Sequence, residues 1–180
     1  LLLVLSCGVF GAAEYSLVTV DRATVERAAE AGDKRSKGTL AALRTLSTQL
    51  SGAQLGITIT NLAIGFLAEP ALGKILHGPL ENLGLSGGSL RGVSYAVALT
   101  LSTVVTMLLA ELVPKKLAIA LPQQVAARTQ WFQRAFTTTM AWPIRFLNSV
   151  ANGILRSVGV EPQEELRSAR SPLELRSLVL

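Results

Sequence analysis

A carboxylate, a proline and two lysines interrupt the apolar run Thr103 to Ala120, TVVTMLLAELVPKKLAIA, which otherwise has the composition of a membrane-crossing helix. A charged group near the bilayer midplane costs about 2.5 to 3.5 kcal/mol on insertion scales, so Glu111 marks a functional position with a partner to be found. Pro114 has no N–H to offer the carbonyl of Ala110, and its ring pushes that carbonyl aside, which frees a backbone oxygen beside the carboxylate. Pro70 stands in the same relation to Phe66, next to Glu69. In an earlier apolar run, GVFGAAEYSL, Glu14 follows Gly8 and Gly11, small residues that let helices approach closely. In a third, QLGITITNLAIGFLAEPAL, Thr58 and Asn61 are three apart and so share a helix face, with Gly65 one turn on. Carboxylate, amide, hydroxyl and backbone oxygens, with no thiol or imidazole in the set, favour Mg²⁺, Ca²⁺ or Na⁺ over a transition metal. Broken helices at membrane depth are tolerated where they line such an ion site.

Plainer roles compete for each residue. Thr58 and Asn61 could be interhelical hydrogen-bond glue, worth about 0.6 kcal/mol apiece. Glu14 could pair with an arginine at the helix end or cap a neighbouring helix. Lys115, four residues after Glu111, could form a simple ion pair with it. Glu69 reads as structural or as an entry residue, and His77 as a surface histidine.

Positioning these residues requires spans, and the composition supplies them. Hydrophobic residues make up 49% of the chain and charged ones 16%, with a mean hydropathy of +0.43, against roughly a quarter charged in soluble domains. The chain is therefore a membrane protein. One cysteine, Cys7, rules out an internal disulfide, and one histidine leaves no zinc set. The net charge of +5 is dispersed between apolar segments with no nucleic-acid motif. No residue set points to catalysis or to an organic cofactor held by these residues, and we read no enzymatic activity.

Crossing about 30 Å of hydrocarbon takes roughly 20 helical residues. Three stretches qualify: Leu1 to Val20, Ser51 to Leu76 and Val93 to Leu121. Arg22, Arg27, Lys34, Arg35, Lys37 and Arg44 separate the first two, and Lys115, Lys116 and seven arginines gather at and beyond the end of the third. By the positive-inside rule the first linker and the C-terminal part are cytoplasmic, the loop His77 to Gly92 is outside, and the N-terminus is outside. A lipoprotein signal ending at LLLVLSCG is a competing reading of the start, opposed by apolar character that continues to Val20.

Residues 21–49 predict a cytoplasmic helical hairpin or bent helix, interrupted by Gly32 and Gly38. Residues 123–158 predict a juxtamembrane helix with aromatic residues on one face and arginines on the other, kinked or divided at Pro143. A fourth span over 135–155 is the alternative, at the cost of burying Arg145, Asn148 and Asn152. Residues 161–180 read as the start of a cytoplasmic linker helix.

FGAAEYSLVTVDRATVERAAEAG, QLGITITNLAIGFLAEPAL and AELVPKKLAIALP resemble, in order and spacing, the transmembrane domain of the CNNM/CorC proteins, also labelled DUF21 or hemolysin-like. The resemblance implies an all-α membrane domain over residues 1–160, with three transmembrane helices, a helical bundle and a juxtamembrane belt. It also implies a homodimer in the lipid bilayer, followed by CBS domains that bind ATP and are not among these residues. It implies Mg²⁺ export, coupled to Na⁺, at a bacterial-type inner (plasma) membrane. Matched residue by residue, Glu14 falls at the family's acidic position in the first span and Asn61 at its asparagine in the second. Glu111, Pro114 and Lys115 fall on the family's G-E-x-x-P-K motif. Gly11 stands where serine is frequent, Ile57 where a second asparagine is frequent, and Ala110 where glycine is usual. Each departure at Gly11 and Ile57 removes a side-chain oxygen, for which the backbone oxygens of Gly11 and Ala110 and the hydroxyls of Ser16 and Thr58 could compensate.

The expected function is divalent-cation transport with the ion near Glu14, Asn61 and Glu111. The second reading is a dimeric regulatory or scaffold protein with a structural or sensory cation. A membrane-active toxin, the third, has no evident use for an intramembrane carboxylate.

Overall fold

The computed structural model describes residues 1–82 and 87–160, with side chains throughout except at some positions between 68 and 91. The expected linker helix at 161–180 lies outside the described residues, as do the side chains of Glu69, Pro70 and His77. Every element among the described residues is helical. In chain order they are α1 (Leu2–Thr19), α2 (Arg22–Glu30), α3 (Lys34–Leu43), α4 (Leu46–Asn82), α5 (Gly87–Thr106), a π-helical segment (Met107–Leu112), α6 (Val113–Ala120), α7 (Pro122–Thr139) and α8 (Ala141–Ser157).

Three helical stretches are long and apolar enough to cross a membrane: Leu2–Thr19, Leu46–Leu67 and Gly92–Ala120. The second begins at Leu46 rather than Ser51, and α4 carries on past Pro70 to Asn82. The expected outer loop is correspondingly shorter, since α5 resumes at Gly87. Half of the first span is buried by protein, against 28% of the second and 11% of the third. The first is thus the strut on which the others assemble, and the third relies on lipid or another protein surface to cover its Leu and Val side chains.

Sequence explains the strut's role. Small residues Gly8, Gly11, Ala12, Ala13 and Ser16 and larger Cys7, Phe10 and Leu17 are all buried. Small side chains on one helix let the backbones of two neighbours come close without a hydrophobic driving force, as packing within a bilayer demands. Beyond the last turn, Leu17 and Val20 pack with Val25, Ala42 and Leu43, which ties the α2–α3 hairpin to the end of α1.

The hairpin is built by two caps and a glycine. Asp21 accepts the Thr24 N–H at 3.0 Å, and Asp33 accepts the Ser36 N–H at 2.9 Å, so each opens a helix by satisfying a free donor. Gly32, at φ +98°, lets the Asp33 N–H reach back to the Ala28 carbonyl at 3.1 Å and ends α2. Gly38 does not interrupt the segment. It lies inside α3 because a side chain there would collide with the amide of Gln130 on α7.

The juxtamembrane segment is divided into two helices, with the break at Met140 (φ −93°, ψ 18°) rather than at Pro143. Pro143 falls in the first turn of α8, where its missing N–H has no partner to lose. The same break divides the alternative fourth span over 135–155. α7 crosses α1 and α4: the rings of Phe132 and Phe136 pack tilted and edge-on against Phe10, with centroids at 5.0 and 4.7 Å, and Gln133 donates to the Gln49 carbonyl at 2.8 Å. α8 is fastened by buried Ile144 and by the Ser51 hydroxyl, which donates to Asn148 Oδ1 at 3.0 Å. It leaves Trp142, Phe146, Val150 and Ile154 exposed at four-residue intervals, the stripe expected of an interfacial helix.

Candidate functional site

Met107–Leu112 is π-helical, and the Val113 N–H bonds the Leu108 carbonyl five residues back. π-bulges arise where one residue too many occupies a helical turn, and they recur at functional sites. Pro114 follows at once. With no N–H it supplies a donor neither to the Leu109 carbonyl, five back, nor to that of Ala110, four back.

Both carbonyls face the glycines of α1. A Cβ built on Gly8 would lie 3.2 Å from the Leu109 oxygen and 3.0 Å from Pro114 Cγ, and one on Gly11 would lie 3.5 Å from the Ala110 oxygen. The two glycines therefore do a specific job: they admit the broken part of the third span against the first. Ala110, fully buried, joins Val4, Cys7 and Ile64 in the packed layer beside it.

At this crossing lies a cavity of about 180 Å³ lined by Cys7, Gly11, Glu14, Tyr15, Ile57, Ala110, Glu111 and Lys115. It brings together Glu14, Gly11, Ala110, Glu111 and Lys115, each singled out in the sequence, from helices far apart in the chain. Two carboxyl groups and one amine line it. Glu14 Oε1 accepts from Gln54 Nε2 at 3.4 Å. Lys115 forms no ion pair with Glu111: among the described residues the one ion pair is Arg22–Glu26 on the surface. Its Nζ sits 4.5 Å from the centre of the Tyr15 ring, a cation–π contact that pairs α6 with α1.

Asn61 stands one layer behind. Its Oδ1 accepts the Cys7 thiol at 3.3 Å, so the amide braces the cavity wall. Thr58 and Ser16 are not brought to the cavity. Thr58 is exposed and donates to the Gln54 carbonyl at 2.8 Å. Ser16 is fully buried and donates to the Ala13 carbonyl at 3.0 Å. At 100° per residue its side chain lies on the opposite side of α1 from Cys7, Gly11 and Glu14.

Cys7, Gln54 and Tyr15 were not anticipated as site residues. A signal for two of them exists: Cys7 precedes Gly11 by four and Glu14 by seven, and Gln54 precedes Asn61 by seven, spacings that return to one helix face. Tyr15 has no such signal, since its ring matters only because Lys115 lies above it.

The donor set includes one thiol, that of Cys7, but it is engaged by Asn61, and the remaining donors are oxygens, which suit a hard cation. Among the described residues no three of His, Cys, Asp and Glu cluster as a conventional metal centre. An ion there would combine the two carboxylates with backbone oxygens, and the volume leaves room for several waters, which Mg²⁺ characteristically keeps.

Three membrane-length helices braced by amphipathic ones, with two carboxyl groups lining one cavity beside a broken helix, are the architecture of a multi-pass membrane domain. The chain belongs to the CNNM family: it matches the Cyclin M transmembrane N-terminal domain over residues 1–180. That family of membrane domains is associated with divalent-cation transport. The chain is 46% identical over 172 residues to UPF0053 protein MT1890 of Mycobacterium tuberculosis, covering 96% of this chain and 38% of that protein. It is 34% identical over 170 residues to UPF0053 protein YhdT of Bacillus subtilis, covering 94% of this chain and 37% of that protein. It is 30% identical over 176 residues to UPF0053 protein YugS of the same organism, covering 95% and 40%. The chain thus spans well under half the length of these curated relatives.

Proposed function

We propose that this domain moves Mg²⁺ out of the cell, coupled to Na⁺ entry, with the ion held between the first and third spans. The observation that carries this reading is the cavity lined by both Glu14 and Glu111, beside the π-helical turn where Pro114 offers no N–H to the carbonyls of Leu109 or Ala110. Two carboxylates compensate a divalent charge, and freed carbonyls replace part of the hydration shell. The Gln54 amide holds Glu14 in place. Lys115 sits at the same cavity, where its ammonium offsets one carboxylate charge when the ion has gone.

The proposed orientation places the N-terminus outside and α2, α3 and α7 on the cytoplasmic side, from the distribution of Lys and Arg. A homodimer is proposed as well. The thinly covered third span supports it, because an apolar helix only 11% buried has surface to spare for a second copy. Movement of α7 against α1 and α4 would shift access to the cavity, and cytoplasmic domains farther along the chain would bias it through ATP.

The test is Mg²⁺ flux in proteoliposomes under an imposed Na⁺ gradient, with Mg²⁺ binding measured in parallel, for the natural protein and Glu111→Gln. The substitution keeps shape and removes charge, so loss of both flux and binding is expected. Binding without flux in the natural protein under every gradient would instead make the cavity a sensory or structural cation site.

A further inference from the structure

Lys34 and Lys37 on α3 and Arg134 on α7 line one groove of about 660 Å³, together with Gly38, Gln130, Trp131 and Thr138. The groove exists because Gly38 lets the helices touch: its missing Cβ is replaced by the Gln130 side chain, whose Cδ would lie 2.6 Å from it. Three cations thus line one groove with no acidic residue among the lining. Asp33, the carboxylate next to Lys34 in the chain, is engaged by the N–H groups of Arg35 and Ser36 and by the Ser36 hydroxyl. Among the described residues none of the three cations has an ion-pair partner.

The groove's level is fixed by α3, whose hairpin is tied to the end of the first span through Leu17, Val20, Val25, Ala42 and Leu43. On the adjoining face of α7, Phe132 and Phe136 pack on Phe10 of the first span. Arg134 and Trp131 therefore lie on the outward side of a helix that touches the membrane-spanning bundle. Trp131 is 66% exposed at the rim, and the indole ring is the side chain that favours the headgroup region. The next helix, α8, presents Trp142, Phe146, Val150 and Ile154 to the surroundings. A concave cluster of unneutralised cations at the membrane–water boundary matches a phosphodiester in charge and in place.

We propose that this groove docks the headgroup of an anionic glycerophospholipid from the adjoining leaflet, with its phosphate between Lys34, Lys37 and Arg134 and Trp131 against the glycerol backbone. The bound lipid joins α3 to α7 across the repulsion of the three cations, so it steadies the hairpin against the belt. The proposal is independent of which ion the intramembrane cavity takes.

The test titrates the purified protein in neutral detergent with dioleoylphosphatidylglycerol or dioleoylphosphatidylcholine and counts bound lipid by native mass spectrometry. Each cation beside an anionic surface contributes about fivefold in affinity, so Lys37→Gln/Arg134→Gln should weaken phosphatidylglycerol binding about 25-fold. Arg44→Gln/Arg156→Gln removes the same charge elsewhere and should leave it within about twofold. In the natural protein, binding should also weaken as salt rises, a readout that needs no variant. Equal losses in both double variants, or no preference for phosphatidylglycerol over phosphatidylcholine, would overturn the proposal. Displacement by soluble glycerol 3-phosphate at equal concentration would overturn the lipid as the source of the phosphate.

Discussion

Gly8→Ala tests whether the closeness of α1 to the π-helical segment sets the site. The new methyl would stand 3.0 Å from Pro114 Cγ and 3.2 Å from the Leu109 oxygen. Optimal carbon–carbon contacts lie at about 3.5 to 4.0 Å, so the gap is short by half an ångström or more. Neither neighbour is the free end of a side chain: one is a ring closed on the backbone, the other a backbone carbonyl. Overpacking of this kind costs about 1 to 3 kcal/mol. Replacing a mid-helix glycine by alanine returns about 0.5 to 1 kcal/mol, which leaves a net loss of about 1 kcal/mol. Gly65→Ala supplies the reference, because a methyl there meets nothing within 4 Å. It should gain the helix term alone, so the two variants should differ by about 2 kcal/mol in unfolding from mixed micelles. Binding should separate them further. The clash is relieved by moving the segment that carries Glu111, and a binding constellation tolerates only about 0.5 Å of displacement, so Mg²⁺ affinity should fall about tenfold in Gly8→Ala and hold in Gly65→Ala. If the two proteins match in both stability and binding, the crossing is not tight and the glycine argument fails.

Pro114→Ala should move stability and binding in opposite directions: a restored N–H stabilises the helix by up to about 3 kcal/mol while closing off a carbonyl, so the melting temperature rises and Mg²⁺ titration shows a weaker site. Gly56→Ala would set a methyl 2.6 Å from the Phe10 ring. That ring is held by Phe132 and Phe136, so a loss of about 1 to 3 kcal/mol is expected, and Phe10→Leu in the same protein should recover part of it in a double-mutant cycle. Acid should loosen the α2–α3 hairpin first. Hydrogen bonds from the Ser36 hydroxyl and N–H hold the Asp33 carboxyl below its ordinary value, and those from Thr24 do the same for Asp21. A depressed folded value means the stabilisation is complete above an unfolded pKa of about 3.9 and is lost as pH falls through the lower folded one. Amide exchange in residues 22–43, referred to α1, should therefore be flat from pH 7 to about 5 and accelerate only below about 4; Asp33→Ala should abolish the step in α3.

The carboxylates and the proline were legible because each breaks a rule of its surroundings. Glu14, Glu111 and Pro114 are anomalies in apolar runs, and an anomaly is visible without a fold. Span number followed from length and hydropathy alone. The hairpin followed from turn residues, although Gly32 and Gly38 look alike in one dimension. Only Gly32 adopts the left-handed backbone, whereas Gly38 serves a side chain more than ninety positions away.

What tertiary structure decided is which anomalies meet. Helical spacing put Thr58 and Asn61 on one face, but faces have neighbours on several sides, and the packing of α1 turned Cys7 and Glu14 toward the cavity and Ser16 away from it. Lys115 was within reach of Glu111 by spacing, and the position of Tyr15 on another helix drew it aside. The π-helical register before Pro114 has no signature in hydropathy. It arises where the third span accommodates an extra residue against the glycines of the first. Composition and spacing determined a three-span membrane domain with acid inside it; the close approach of two helices, possible only at Gly8 and Gly11, determined that those acids share one cavity.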